Sequence, residues 1–363
     1  MDDAKGLEPV VNACRLTDVI ALDTEFERST TYFARPALLQ LRIDDQTWLI
    51  DPIAVSTLEH LGAALNEADS IKIMHSASED LAVLELATGQ PVHGLFDTQL
   101  AAAFAGHGFG LGYHALANRL LGVTVNKDQT RSNWLQRPLT PAQLAYAAAD
   151  VEFLPTMHEQ LRDEVHELGR SEWLAEETQA LITRANSTDI ERDFLRLASR
   201  VDSDEARGRL RELCQQRESL ARQLDRPRKH VADDPILVDM ARGCPQSRSE
   251  LENLPSWRTH RGRVGTRALL DAVQQSMTAA ACELPAECQD LTAYKQMLNK
   301  LKQVVANVAR SLTLEPAMLA PRRVLEKVVV HTAVLQRPGL PAELDGWRGT
   351  VLNGPLLECL QDA

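Results

Sequence analysis

The sequence predicts an α/β amino-terminal part followed by an all-α remainder, and three observations carry that expectation. Apolar strand-like runs separated by short polar turns crowd the beginning of the chain. Helix-length and strand-length segments then alternate, and from Pro141 onward almost every segment has helical spacing. At 363 residues the chain is too long for one ordinary core, so two or three domains are expected.

Taken in order, Asp18 to Phe26, Ala37 to Ile43 and Thr47 to Ile50 read as strands, and their short links imply an antiparallel meander at the start of a sheet. Ser56 to Glu67 has helical spacing, Lys72 to His75 is a short strand, and Glu79 to Thr88 is a helix that Ser78 can cap. Asp97 to Ala105 is another helix, with its own first residue as cap. Glu159 to about Arg200 reads as one long amphipathic helix suited to bridging domains. Beyond it lie two helical stretches of similar size, split by CELPAEC around Pro285. Each runs through a long helix, a shorter one, a Gly- or Trp-bearing turn and a closing helix, a scheme consistent with internal duplication. The expected domains are 1–170, a helical linker 171–203, and helical modules at 204–280 and 283–363.

Composition excludes several function classes. The chain is 44% hydrophobic and 25% charged, ordinary for a globular protein, and no apolar run approaches the roughly 20 residues that span a bilayer. The acidic start MDDAKGLEPVV lacks the layout of a secretory signal, which makes the cytoplasm the expected compartment. Six cysteines are scattered without a CxxC pair, so neither a disulfide framework nor a zinc site is expected. The net charge of −12 falls entirely in the first 165 residues, which hold 11 Lys+Arg against 23 Asp+Glu; the remainder has 28 of each. Such an acidic part is a poor polyanion binder unless metal ions offset its carboxylates, whereas the arginine-rich remainder could hold a phosphate backbone.

Three short segments carry the chemistry. Asp23-Thr24-Glu25 ends the apolar run VIAL, and side chains two apart on a strand share a face, so two carboxylates point together. That is costly without a cation and suits a hard divalent metal, although a DxE at a strand end is often only a solvated edge. His75 to Asp80, HSASED, is a strand end, a turn and a helix start. Glu79 there reads as a complement to the helix dipole, while Asp80 could reach the same metals. Tyr146 and Asp150 are four apart on a helix, hence neighbours, and the three alanines between them allow close approach of another element.

In order and context the blocks IALDTEF, HSASEDL and YAAADVEFL resemble the DEDD exonuclease superfamily, in its tyrosine subtype because Ala145 stands where the histidine subtype carries its base. The resemblance implies a ribonuclease H-like mixed sheet in which Asp23, Glu25, Asp80 and Asp150 hold two Mg²⁺ or Mn²⁺ ions and Tyr146 orients or activates the attacking water. From about Thr17 to Leu360 the chain is similar to the ribonuclease D family, with TYFARPALLQLRI, FDTQLAAAF and VNKDQTRSNWLQRPLT as supporting text. In the last of these, Lys127 and Arg131 are candidate phosphate contacts and Trp134 a candidate contact for a base or sugar; a solvated loop with one packing tryptophan is an equal reading. Asp97 in FDTQ is assigned to capping, not metal.

The carboxy-terminal stretches resemble tandem HRDC domains, which bind nucleic acid or act as docking units. Basic clusters occur at Arg222, Arg226, Arg228 and Lys229, and at Arg258, Arg261, Arg263 and Arg267; Arg261 and Arg263 are the preferred phosphate contacts. The family resemblance implies a 3′→5′ exoribonuclease releasing nucleoside 5′-monophosphates from RNA with a single-stranded 3′ end, transfer RNA precursors above all. A DNA exonuclease and a catalytically idle RNA-binding adaptor stay open as alternatives.

Overall fold

The computed structural model describes residues 6–67, 69–125, 128–129, 132–185, 190–198, 200–260, 266–275, 291–335 and 339–361. They fall into two compact units: Met1–Phe26, Pro36–Asn186 and Pro285–Ala363 form the first, and Glu27–Arg35 with Ser187–Leu284 form the second.

The first unit begins with helix α1 (Leu7–Leu16) and strands β1 (Val19–Glu27), β2 (Arg35–Ile43) and β3 (Gln46–Ile50). Helix α2 (Glu59–Glu67), strand β4 (Ile71–Met74), helix α3 (Asp80–Thr88), strand β5 (Leu95–Asp97) and helices α4 (Thr98–Phe104) and α5 (Tyr113–Leu121) follow. The five strands form one mixed sheet in the order β3-β2-β1-β4-β5, with β2 and β3 antiparallel and β4 parallel to both β1 and β5. Both sheet faces are covered, which is why β1 reads as an unbroken apolar run. Ile20 and Leu22 join the core beneath α1, α2 and α3, whereas Ala21 and its parallel neighbour Ile73 join the core that holds Phe104 and Leu116.

Helices α6 (Pro141–Glu152), α7 (Leu154–Glu167) and α8 (Ser171–Ala185) complete this part of the chain. The single helix expected from Glu159 to Arg200 is broken. Gly169 adopts φ +67°, Arg170 N donates to Val165 O and Gly169 N to His166 O, both at 2.9 Å, a Schellman ending that stops α7. Helix α9 covers Ile190–Ala198.

Helices α10 (Asp204–Gln223), α11 (Arg228–Val231), α12 (Asp234–Gly243), α13 (Arg248–Glu252), α14 (Trp257–His260) and α15 (Thr266–Gln275) build the second unit. Its core includes Phe194, Leu210, Leu237 and Leu269, and also Tyr32 from the segment between β1 and β2. The Tyr32 hydroxyl donates to Glu218, and Asp225 Oδ1 accepts the backbone N–H of Tyr32 and of Phe33 at 3.0 Å each. Two members of the first basic cluster are engaged inside this unit: Arg222 and Arg228 pair with Glu218 and lie 5.1 and 5.7 Å from the Tyr32 ring centroid.

The chain closes with α16 (Leu291–Leu312), α17 (Pro316–Leu319), α18 (Arg322–Leu335) and α19 (Trp347–Gln361). A long helix followed by a four-residue helix repeats the α10–α11 sequence of lengths. This segment, which the sequence reads as a module by itself, shares its core with the sheet-bearing part of the first unit. Trp347 stacks on Trp173 at 5.1 Å and meets Phe104 edge-on at 5.2 Å, and its indole N–H donates to Glu177 at 3.0 Å. Arg170 ties the two parts by donating to Phe104 O and to Leu312 O. Among the described residues no helix is long and apolar enough to cross a membrane, and Cys14, Cys214, Cys244 and Cys359 are free thiols.

Candidate active site

Strand β1 presents Asp23 and Glu25 on one face, and helix α6 brings Asp150 to them. One carboxylate oxygen from each of the three lies within 4.8 Å of the others. The start of α6 is fixed locally: Thr140 and Gln143 close a capping box and Pro141 occupies the first turn. Ala147 and Val151 are fully buried and anchor the helix, leaving Tyr146 and Asp150 half-buried one turn apart. The Tyr146 hydroxyl donates to the Asp150 carboxylate.

Asp80 arrives by a different route. Asp97 ends β5, and its carboxylate accepts Gln99 N and Leu100 N at 2.8 and 3.1 Å, capping α4 as expected. The same carboxylate accepts Ser76 N and Ala77 N at 3.3 and 2.9 Å, which fixes the turn from β4 into α3. Ser78 does not cap that helix: the capping position is Glu79, without a side-chain bond, because the turn is already held by Asp97. Asp80 opens α3 and accepts a 2.5 Å hydrogen bond from Thr24 Oγ1. It stands outside the tight three-oxygen group, yet its charge acts on both Asp23 and Glu25.

Crowded, buried carboxylates resist ionising. Burial, reinforced by Asp80, Asp150 and Glu25, pushes Asp23 well above the ordinary range. Burial with repulsion from Asp150 and Asp80 raises Glu25 to about 8. Burial raises Asp150 to about 7 against the opposing hydrogen bond from Tyr146, and Asp80 to about 6 against that from Thr24. An all-oxygen donor set whose members repel one another fits hard divalent cations, which would relieve that repulsion.

The other expected contacts separate. Trp134 is 4% exposed and packs against Ala37, Leu38 and Ala147, so its ring faces are withdrawn from any base or sugar; the packing interior outweighs the aromatic signal. Lys127, Arg131, Arg261 and Arg263 lie outside the described residues. Two neighbours escaped the sequence reading. His114 Nε2 is 3.9 Å from Asp150 Oδ1. The Tyr113 hydroxyl donates to Ala149 O at 2.6 Å and accepts Phe153 N at 3.2 Å, pinning the end of α6. Both come from α5, whose sequence carries no motif that ties it to the acids.

Comparison with known proteins shows which families the chain matches. The 3′-5′ exonuclease family matches residues 1–166, the HRDC domain residues 206–273, and the ribonuclease D C-terminal HRDC domain residues 292–356. The chain is 35% identical over 352 residues to ribonuclease D of Xanthomonas oryzae pv. oryzae, covering 94% of this chain and 93% of the relative. It is 30% identical to ribonuclease D of Escherichia coli K12, covering 99% and 97%. The crystal structure of Escherichia coli RNase D superimposes with a TM-score of 0.85 at 29% identity, covering 100% of this chain and 98% of that one.

Proposed function

Because the chain belongs to the ribonuclease D family and is a metal-dependent 3′→5′ exoribonuclease, we propose that Asp23, Glu25, Asp80 and Asp150 hold two divalent ions, Mg²⁺ or Mn²⁺, and that Tyr146 orients the attacking water. The observation that carries this reading is the convergence of Asp23, Glu25 and Asp150 within 4.8 Å beside Asp80, which is tied to the same strand through Thr24. When bound, the ions supply neutralising charge and polarise the scissile phosphate and the water.

The chain's own groups do the rest. The four carboxylates fix where positive charge sits, and therefore where the terminal phosphate settles. The Tyr146 phenol, already bonded to Asp150, directs a water toward the phosphorus in line with the leaving 3′ oxygen. Each turnover releases a nucleoside 5′-monophosphate and leaves a 3′-hydroxyl one residue shorter.

We assign the substrate as RNA with a single-stranded 3′ end, transfer RNA precursors in particular, with Lys127, Arg131, Arg261 and Arg263 as backbone contacts. The test uses 5′-end-labelled RNA and DNA of one sequence, with and without chelator. A ladder descending from the RNA 3′ end and abolished by chelator is the expected result. Equal shortening of DNA would replace the RNA assignment with a general exonuclease, and binding without shortening would make the chain an adaptor.

A further inference from the structure

The tryptophan that looks like a base-stacking residue is enclosed, and what it touches suggests another role. We propose that Trp134 is a positioning residue for Tyr146, its indole forming the wall that holds the phenol at Asp150. This rests on the reading of Tyr146 as the water-orienting group.

The two rings lie 5.9 Å apart, centroid to centroid, with their planes tilted by 42°. Trp134 shares a small buried cluster with Ala37 and Leu38 of β2 and Ala147 of α6, the residue directly after Tyr146. Leu49, Leu135 and Leu139 close its edges. A half-buried tyrosine on a helix turns about two torsions, and a rigid flat neighbour removes that freedom where the hydroxyl must sit.

The backbone around Trp134 is unusually well fastened for a loop. Arg137 Nη1 donates to Trp134 O at 2.7 Å, while Nη2 donates to Ala37 O at 2.6 Å and to Asp51 Oδ1 at 2.7 Å. Nε completes the pair with Asp51 at 2.5 Å. One residue before the tryptophan, Asn133 O accepts from Gln143 Nε2 at 3.3 Å, and Gln143 is the residue that closes the α6 capping box. The segment is thus bolted to β2 on one side and to the helix of Tyr146 and Asp150 on the other. Trp134 Nε1 has no hydrogen-bond partner among the described residues, so the indole is held by packing alone. Its flat surface, and not its N–H, is therefore what the position requires.

The experiment compares Trp134→Leu, Trp134→Phe, Tyr146→Phe and the Leu/Phe double variant, with kcat and KM measured separately on a short RNA. Trp134→Leu is expected to lower kcat roughly ten- to hundredfold with KM within about twofold, and Trp134→Phe to recover to within about threefold of the parent. In the Tyr146→Phe background, Trp134→Leu should cost nothing further, since its effect passes through the phenol. Trp134→Met, which fills the space without a flat ring, carries the same expectation should the leucine variant melt at the assay temperature. A raised KM at unchanged kcat would return Trp134 to substrate contact and overturn the proposal. Multiplying losses in the double variant would overturn it as well, leaving the reading of Tyr146 intact. Full activity of Tyr146→Phe would remove that reading and this inference with it.

Discussion

The Thr24 hydroxyl donates a 2.5 Å hydrogen bond to Asp80 Oδ1, joining the strand that carries Asp23 and Glu25 to the helix that carries the separate acid. Thr24 is 5% exposed, so solvent does not compete for the bond. The middle residue of the DTE triplet thus favours the ionised form of Asp80, against the burial that raises its pKa to about 6. Thr24→Val should raise the Mg²⁺ concentration for half-maximal activity roughly ten- to hundredfold, while Thr24→Ser preserves it. A metal titration of RNA shortening decides; an unchanged midpoint for the valine variant would make the bond incidental.

Tyr146 lowers the pKa of Asp150 through its hydroxyl, although burial still leaves that acid at about 7. Tyr146→Phe, which removes the group that orients the attacking water, should lower kcat by about 10²- to 10⁴-fold without weakening RNA binding. The acidic limb of the pH–rate profile should also move to higher pH, because the Asp150 carboxylate loses a donor that favours its charged form. Single-turnover rates across pH measure both effects.

The raised acids link stability to pH with a definite sign. Glu25, Asp150 and Asp80 stand at about 8, about 7 and about 6, against ordinary values of 4.5 for Glu and 3.8 for Asp. Groups raised in the fold contribute stability below their unfolded values and lose it as pH climbs through the folded ones. The metal-free protein should accordingly melt at lower temperature at pH 8 than at pH 5. Added Mg²⁺ should restore more at pH 8, where the ligands are ionised. Thermal melts in chelator and in Mg²⁺ at both pH values test this, and a larger metal effect at pH 5 would refute it.

For the basic stretch RTHRGRVGTR the expectation is electrostatic. Neutralising Arg261 and Arg263 together should flatten the slope of log affinity against log salt by about 2. An unchanged slope would remove both from the phosphate contacts.

The carboxylate constellation was legible in the sequence because each member sits in a strongly patterned element. Asp23 and Glu25 follow the apolar run of one strand at a spacing of two, and Tyr146 and Asp150 lie four apart on one helix. Asp97 was legible as a cap for the same reason, since its partners are two and three residues away. Its second task, holding the turn before Asp80, joins residues some twenty apart and leaves no local trace.

What stayed hidden depends on distant packing. Strand β5 has only three residues, too few for periodicity, and α5 supplies Tyr113 and His114 with no motif beside them. The break at Gly169 sits between two amphipathic helices whose patterns read as one. Trp134 shows the limit most clearly. The sequence left it open between a nucleic-acid contact and a packing residue, and the side chains that enclose it, Ala37, Leu38 and Ala147, come from elements that adjoin it only in the fold.

The most direct test of the central claim is 3′-end shortening of labelled RNA by Asp23→Asn and Asp150→Asn, measured beside RNA binding and thermal melting of the same proteins. Asparagine keeps the shape and removes the charge, so both variants should bind RNA and melt no lower than the parent, yet leave the RNA at full length. Undiminished shortening by both variants would contradict the account.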